Sequence, residues 1–301
     1  MKKITIAIFL LILAGCNRYV SPPISDLIGP DFDIEGHRGC PALMPENTIP
    51  GFLKAADLNV TTLEMDAIIT GDSQVVISHT PFLSHTVATK PDGTYVTEAE
   101  ERSYNIYRMS YEEVKQFDVG MKPNPEFPDQ KKMHAVVPLL NDVIDSVEAF
   151  TSRNALKPLY YNIETKCSPG TDNFFNPPPD RFVEMIMAII LQKNIADRVI
   201  IESFDIRSLQ YLKQHYPYIK TSLLVLSYDP KKFREQIKAL GFLPDIYSPA
   251  YQIATPALVK QCHDNGIKII PWRVNDISLA ETLIRSGADG IITDYPNVLK
   301  K

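Results

Sequence analysis

Residues 198–226, RVIIESFDIRSLQYLKQHYPYIKTSLLVL, decide the fold. Arg198 to Asp205 and Lys220 to Leu226 are short, largely apolar runs that read as strands, and Ile206 to His215 between them reads as a helix. Strands this apolar belong to a sheet covered on both faces. The helix supplies the crossover that two parallel strands require.

Outward from this unit the same alternation recurs. Strands are expected at Asp33 to Gly39, Thr61 to Thr70, Leu159 to Lys166, Asp245 to Pro249, Ile267 to Asn275 and Gly290 to Tyr295. Helix-like stretches lie at Pro50 to Leu58, Leu139 to Ala149, Asp180 to Lys193, Pro230 to Ala239, Thr255 to Asn265 and Ile277 to Ser286. Eight strand–helix units in about 260 residues fit an α/β fold of the (β/α)8 TIM-barrel type, with a doubly wound open sheet as the alternative. One more strand-like run, Val75 to His79, follows Thr70 after only Gly71-Asp72-Ser73-Gln74. Four residues cannot make a parallel crossover, so this run returns as a hairpin and carries His79 back toward the strand before it. The long irregular stretch 81–138, with Pro91-Asp92-Gly93 and the proline-rich run from Lys122 to Pro128, reads as a small insertion that caps the barrel mouth after the second strand.

Of 301 residues, 45% are hydrophobic and 22% charged, the composition of a folded protein rather than a disordered one. With 31 basic and 36 acidic side chains the net charge is −5, which argues against nucleic acid as a partner and leaves a small anionic ligand open. Lys2 and Lys3 precede an apolar run from Ile4 to Ala14 that is too short to span a bilayer and has the layout of a signal peptide. Leu13-Ala14-Gly15-Cys16 resembles a bacterial lipobox. Residues 1–15 are therefore expected to be removed, Cys16 to carry acyl chains, and residues 16–30, with Pro22, Pro23 and Pro30, to form a tether to a domain spanning 31–301. This implies a protein held on a membrane of the bacterial cell envelope, and Asn17 is compatible with the outer membrane. The oligomeric state is not legible. Cys40, Cys167 and Cys262 have no metal-ligand spacing, allow one disulfide at most, and read as small buried side chains.

The chemistry gathers at the C-terminal ends of the proposed strands, where barrel active sites are built. The first strand ends in His37-Arg38-Gly39. The second carries Glu64 and Asp66, which at i and i+2 share a face. His79 returns on the hairpin, the third strand brings Asn162, Glu164 and Lys166 on one face, and Trp272 lies four strands later. Three carboxylates aimed at one point resist ionisation unless a cation holds them together. Oxygen-only ligation suits Ca²⁺ or Mg²⁺ better than Zn²⁺, and Ca²⁺ is the ion expected here, with Mg²⁺ the alternative. His37 and His79 are then free for proton transfer, and Arg38 and Lys166 are fixed cations suited to a phosphate. The set points to metal-assisted phosphodiester cleavage. By contrast His85, His134, His215 and His263 read as loop or surface residues, and Lys131-Lys132 and Lys231-Lys232 as solvated basic faces.

Taken together, His37-Arg38-Gly39, Pro45-Glu46-Asn47-Thr48, Glu64-Met65-Asp66, Ser78-His79, Asn162 to Lys166, Trp272 to Asn275 and Asp289 to Pro296 resemble the glycerophosphodiester phosphodiesterases. That resemblance implies a (β/α)8 barrel with a small insertion, acting on small-molecule glycerophosphodiesters to release sn-glycerol 3-phosphate and an alcohol. It implies metal binding by Glu64, Asp66 and Glu164, acid/base chemistry by His37 and His79, phosphate binding by Arg38 and Lys166, and packing of Trp272 against substrate. One departure is Thr80, which follows His79 where the family usually has an aspartate. Two competing readings are a phospholipase-D-like or phosphoinositide-cleaving barrel acting on intact lipids, and a non-catalytic phosphodiester-binding lipoprotein.

Overall fold

The structure, a computed structural model, describes Ile24 and residues 27–297. The expected leader 1–15, the acylation site Cys16 and most of the tether 16–30 lie outside the described residues. The chain runs β1 (Asp33–Gly36), α1 (Ile49–Asp57), β2 (Thr62–Ile69), β3 (Val75–Ile77), a one-turn α2 (Tyr111–Val114), α3 (Leu140–Arg153), β4 (Tyr160–Thr165), α4 (Pro179–Lys193), β5 (Val199–Ser203), α5 (Ile206–His215), β6 (Lys220–Val225), α6 (Phe233–Leu240), β7 (Ile246–Pro249), α7 (Pro256–Asp264), β8 (Lys268–Ile269), α8 (Ile277–Arg285) and β9 (Gly290–Thr293).

Neighbouring strands pair in parallel in the order β8-β7-β6-β5-β4-β2-β1-β9, while β3 pairs antiparallel with β2 as a hairpin. Three backbone hydrogen bonds close the ring between the last two barrel segments: Asp289 N–H to Ile269 O at 3.0 Å, Ile292 N–H to Pro271 O at 2.9 Å and Val274 N–H to Ile292 O at 2.9 Å. The sheet is thus a barrel and not the open alternative. Regular strand structure in β8 stops at Ile269, short of the Asn275 expected from sequence. Pro271 has no N–H to give the ladder, so the segment continues only through single contacts such as the Ala250–Trp272 bridge. β1 likewise ends at Gly36, because Arg38 and Gly39 turn into the left-handed region at φ 49° and 88°.

The period-two alternation of β2 sorts its side chains. Leu63, Met65 and Ala67 join the main core beneath the helices, with Phe52, Tyr161, Ile163, Phe182 and Ile201. Fully burying an aliphatic or aromatic side chain of this size stabilises a fold by about 1.5–3 kcal/mol. Thr62, Glu64 and Asp66 take the other face, the barrel interior, where the apolar filling is a small cluster of Ile200, Ile246, Ile270 and Ile292. Helix starts follow local chemistry: Thr48 accepts the Gly51 N–H ahead of α1, with Pro50 in its first turn, and Asp205 and Thr255 cap α5 and α7. Between β3 and α3 the chain builds a second core of Leu83, Val96, Ile106, Val114 and Phe117 against Ile68 and Val76 of the hairpin. This segment is pinned to the loop after β1 by Gln130 Nε2 donating to Pro41 O at 2.8 Å and by Lys131 N–H to Leu43 O at 2.9 Å. Cys40, Cys167 and Cys262 are buried free thiols. Among the described residues no helix is long and apolar enough to cross a membrane.

Gly39 holds the turn that ends β1. A Cβ there would lie 2.8 Å from the carbonyl carbon of Gly51, on a residue already at φ 88°. Gly93 has a similar φ of 85° with nothing within 4 Å of a Cβ. Gly39→Ala is therefore expected to lower the urea unfolding free energy by about 3 kcal/mol or more, adding steric conflict to the backbone cost, while Gly93→Ala loses only about 1 kcal/mol.

Candidate active site

Two strands and one turn assemble the charged centre. Glu64 and Asp66 project from β2 and Glu164 from β4, neighbours in register across the Asp66–Glu164 pair. One oxygen from each of the three carboxylates lies within 4.8 Å of the others, and all three side chains are buried. The left-handed turn at Arg38 aims its backbone N–H at Glu64 Oε2, 2.7 Å away, and its Nε lies 3.2 Å from Asp66 Oδ2. A second bond to Glu46 Oε1 at 3.1 Å fixes the far end of the guanidinium. Lys166, two residues beyond Glu164, sits 3.2 Å from Asp66 Oδ1 and 2.9 Å from Glu164 Oε1. Asn47 donates to Asp66 Oδ2 at 2.7 Å.

These contacts divide the trio electrostatically. Burial raises Asp66, but Lys166 and Arg38 outweigh it and hold the carboxyl well below the usual range. Glu64 moves well above its ordinary value through burial, then through repulsion from Asp66 and Glu202. Glu164 is pushed up to about 7 by burial, with Lys166 pulling it down and Asp66 adding to the rise. Deeper in the barrel, the Asn162 amide bridges two further buried carboxyls, Glu35 at 2.7 Å and Glu202 at 2.9 Å, both raised by burial.

The histidines differ in their support. Asp294, at the end of β9, takes the His37 Nδ1 at 2.5 Å and leaves Nε2 as the uncommitted ring nitrogen. Asn275 donates to Asp294 Oδ2 at 2.5 Å, and Arg273 approaches the same oxygen at 3.2 Å. Burial raises Asp294, yet His37 and Arg273 bring it down to about 2. Burial and then Arg38 lower His37 below its ordinary value, against Asp294. Burial lowers His79 to about 2, opposed by Asp66. Among the described residues the His79 ring has no hydrogen-bond partner. The Thr80 hydroxyl is engaged with Phe82 O at 2.7 Å.

His37, Arg38, Glu64, His79, Glu164, Lys166 and Trp272 line a single cavity of about 430 Å³, with Asp66 buried behind them. Every residue expected at the site from sequence, apart from Cys16, is thus brought together. The Trp272 indole N–H donates to Ser248 O at 2.9 Å, and its ring meets Phe204 edge-on at 5.6 Å. Asp294, Asn47, Glu202 and the Glu126–Arg273 pair at 3.1 Å were not anticipated. Asp294 and Asn47 fall within segments that stand out in the sequence, but no spacing rule connects them to His37 or Asp66. The remaining histidines lie elsewhere: His85 on Glu101, His134 on Asp118, His215 stacked on Tyr211 and His263 on Asp289.

The sequence profile of the glycerophosphoryl diester phosphodiesterase family matches residues 37–298. A glycerophosphodiester phosphodiesterase of Caldanaerobacter subterraneus is 30% identical over 267 residues, covering 87% of this chain and 94% of that protein. Among solved structures, a putative glycerophosphoryl diester phosphodiesterase of Silicibacter pomeroyi aligns with TM-score 0.79 and 27% identity over 92% of this chain and 95% of that one. An Oleispira antarctica phosphodiesterase, determined in complex with the product sn-glycerol-3-phosphate, shares the fold with TM-score 0.70 and 22% identity over 93% of this chain and 98% of that one. A family match across most of the chain, on a barrel whose mouth holds this cluster, means that the chain belongs to the glycerophosphoryl diester phosphodiesterase family and is a phosphoric diester hydrolase of that kind.

Proposed function

We propose that this enzyme hydrolyses glycerophosphodiesters to sn-glycerol 3-phosphate and an alcohol with the help of a divalent cation held by Glu64, Asp66 and Glu164. The observation that carries this reading is the convergence of three buried carboxylates with Arg38 and Lys166 at one cavity wall. The donor set fits a hard cation: it is all oxygen, and burial, with repulsion from Asp66 adding to it, raises Glu64 and Glu164, a rise that such an ion would offset. Ca²⁺ is the proposed ion, with Mg²⁺ the alternative. When bound, it would act as a Lewis acid on a phosphoryl oxygen. The product found in the Oleispira enzyme supports the same product here.

Arg38 and Lys166 neutralise the phosphate and set its orientation, Lys166 as a point charge and Arg38 from a turn that Glu46 braces. His37 and His79 handle the protons. With Nδ1 engaged by an ionised Asp294, neutral His37 presents the lone pair of Nε2 to the cavity and can take a proton from the attacking nucleophile, water or a substrate hydroxyl. His79 has no hydrogen-bonded carboxylate; Asp66 favours its protonated form from a distance and the negative charge of the bound phosphodiester adds to that, and from this form the leaving oxygen receives its proton. Trp272 packs its ring along the substrate. The apolar wall of Phe204, Leu224 and Leu226 also suits the second reading, cleavage of intact lipids.

Product release from a panel of deacylated and diacyl phosphodiesters tests the reading. Soluble glycerophosphodiesters should be cleaved, chelator should stop turnover, and Ca²⁺ or Mg²⁺ should restore it. The same ions at about 100 times their dissociation constant should stabilise the native chain by about 2.7 kcal/mol in a thermal melt and leave Glu64→Gln unmoved. Cleavage that survives complete chelation, or faster release from diacyl lipids, would overturn the assignment.

Single substitutions separate the histidines from the fold. His37→Ala and His79→Ala should each remove turnover while circular dichroism and the melting temperature stay close to those of the native enzyme. Asp294→Asn, which can leave His37 in the wrong tautomer, should lower kcat by roughly 10²–10⁴-fold. Near-native rates in either alanine variant would refute the proton-transfer roles.

The same reading includes an acylated Cys16 that fixes the enzyme to the cell envelope, on the outer membrane. Its support is the Leu13-Ala14-Gly15-Cys16 motif behind a short apolar run. Labelled palmitate supplied to cells should enter the native chain and not Cys16→Ser; equal labelling of both would exclude this anchor.

A further inference from the structure

Scattered exposed apolar side chains are ordinary. Here several of them fall in a pattern. Phe174 follows β4, Phe204 follows β5, Tyr228 follows β6, Tyr251 follows β7, and Ile277 opens α8 after β8. Five successive connections at the C-terminal ends of neighbouring strands thus each leave a large apolar residue in water at the barrel mouth. Phe174 is 58% exposed and Tyr228 77%, too much for either to belong to a core. The crescent runs into the reaction cavity, because Phe204 packs on Trp272, and Tyr251, Trp272 and Arg273 line a second cleft of about 510 Å³ beside it.

Two lysine pairs that the proposed chemistry does not use border the same mouth. Lys231-Lys232 follow Tyr228 in its connection, and Lys131-Lys132 lie in the insertion, where the Lys131 N–H is tied to the loop after β1. All four are exposed, and none has an ion-pair partner among the described residues. Most of the acids nearby are spoken for: Asp172 and Asp205 bind Arg207, Glu126 binds Arg273, and Asp229 and Asp276 accept backbone N–H groups of their own turns. Asp129 remains beside the Lys131-Lys132 pair. On a chain of net charge −5 these local cations mark a surface suited to anions.

Aromatic rings settle at the level of lipid headgroups, and exposed lysines are drawn to anionic ones. Rings spread over separate loops around a cavity, with basic pairs at its border, match that layered chemistry better than the continuous apolar patch a protein partner would need. We propose that the barrel mouth docks on an anionic lipid bilayer, with the aromatic crescent among the headgroups and the lysine pairs on their phosphates, so that the reaction cavity opens against the membrane.

This docking is distinct from tethering through the N-terminus. The chain enters the barrel at Asp33, at the N-terminal end of β1 and so on the face opposite the mouth. Trp272, the single tryptophan of the chain, stands at the mouth and reports on it alone. The full-length enzyme is mixed with vesicles of phosphatidylcholine containing about one third phosphatidylglycerol, with acyl chains brominated near the headgroup, and tryptophan fluorescence is followed. Trp272 should be quenched by roughly one third or more, and the quenching should weaken as salt rises. Phe174→Ser with Tyr228→Ser, and separately Lys231→Glu with Lys232→Glu, should reduce quenching at least about two-fold while turnover of a soluble glycerophosphodiester is unchanged. Tyr218→Ser, exposed at the opposite end, should leave quenching intact. An unquenched Trp272 on vesicles, whether or not the chain is bound to them, or quenching indifferent to the rim substitutions, overturns the proposal.

Discussion

The repulsion among three buried carboxylates is the constraint around which the rest of the site is arranged. Glu64, Asp66 and Glu164 are brought within 4.8 Å of one another by strand geometry that leaves them no room to separate. Unpaired buried charge of this kind is among the most costly arrangements a fold can contain. Lys166 and Arg38 meet most of that cost at Asp66, which two cations and the Asn47 amide hold ionised. Glu64 and Glu164 stay raised, chiefly by burial, with repulsion from Asp66 adding to it. Three acids against two cations leave a charge imbalance, and a buried all-oxygen trio of this kind could hold a divalent ion.

The barrel supplies the geometry that this imbalance needs. Alternation along β2 sends Leu63 and Met65 to the helices and Glu64 and Asp66 to the interior, so hydrophobic burial on one face holds the charged face in place. The left-handed Arg38-Gly39 turn is a local departure from regular structure with a direct consequence: it aims a backbone N–H at Glu64 while its own guanidinium reaches Asp66. Ring closure matters in the same way. Parallel pairing of β9 with β1 sets Asp294 against His37, residues 257 positions apart in the chain, and closure through the β8 segment adds Asn275 and Arg273 to the same carboxylate.

Much of this was legible in the sequence for physical reasons. Two acids two residues apart within an otherwise apolar strand are expensive unless used, and the four-residue gap before Val75 permits only a hairpin, which is what β3 forms. The alternation of strand and helix fixes a parallel sheet, and eight repeats favour a closed one. What sequence could not supply is any feature set by closure or by irregular backbone. Asp294 meets His37 from the neighbouring strand end and Asn47 meets Asp66 from the connection after β1, and no periodicity links either pair. Pro271 ends the regular part of β8 early, and the fold of the insertion rests on a small core with no repeat to announce it.

The two histidines bring these threads together. His37 is held by a carboxylate that is itself held by Asn275 and Arg273, and Arg273 reaches on to Glu126 of the insertion, so its ring is fixed by the closure of the barrel and by the segment over its mouth. His79 stands on a hairpin turn with Thr80 facing backbone, and its ring meets charge only through Asp66, Lys166, Arg38 and His37. One ring therefore has a nitrogen fixed by a carboxylate, and the other is governed by its burial and by the charges around it, with no hydrogen bond of its own.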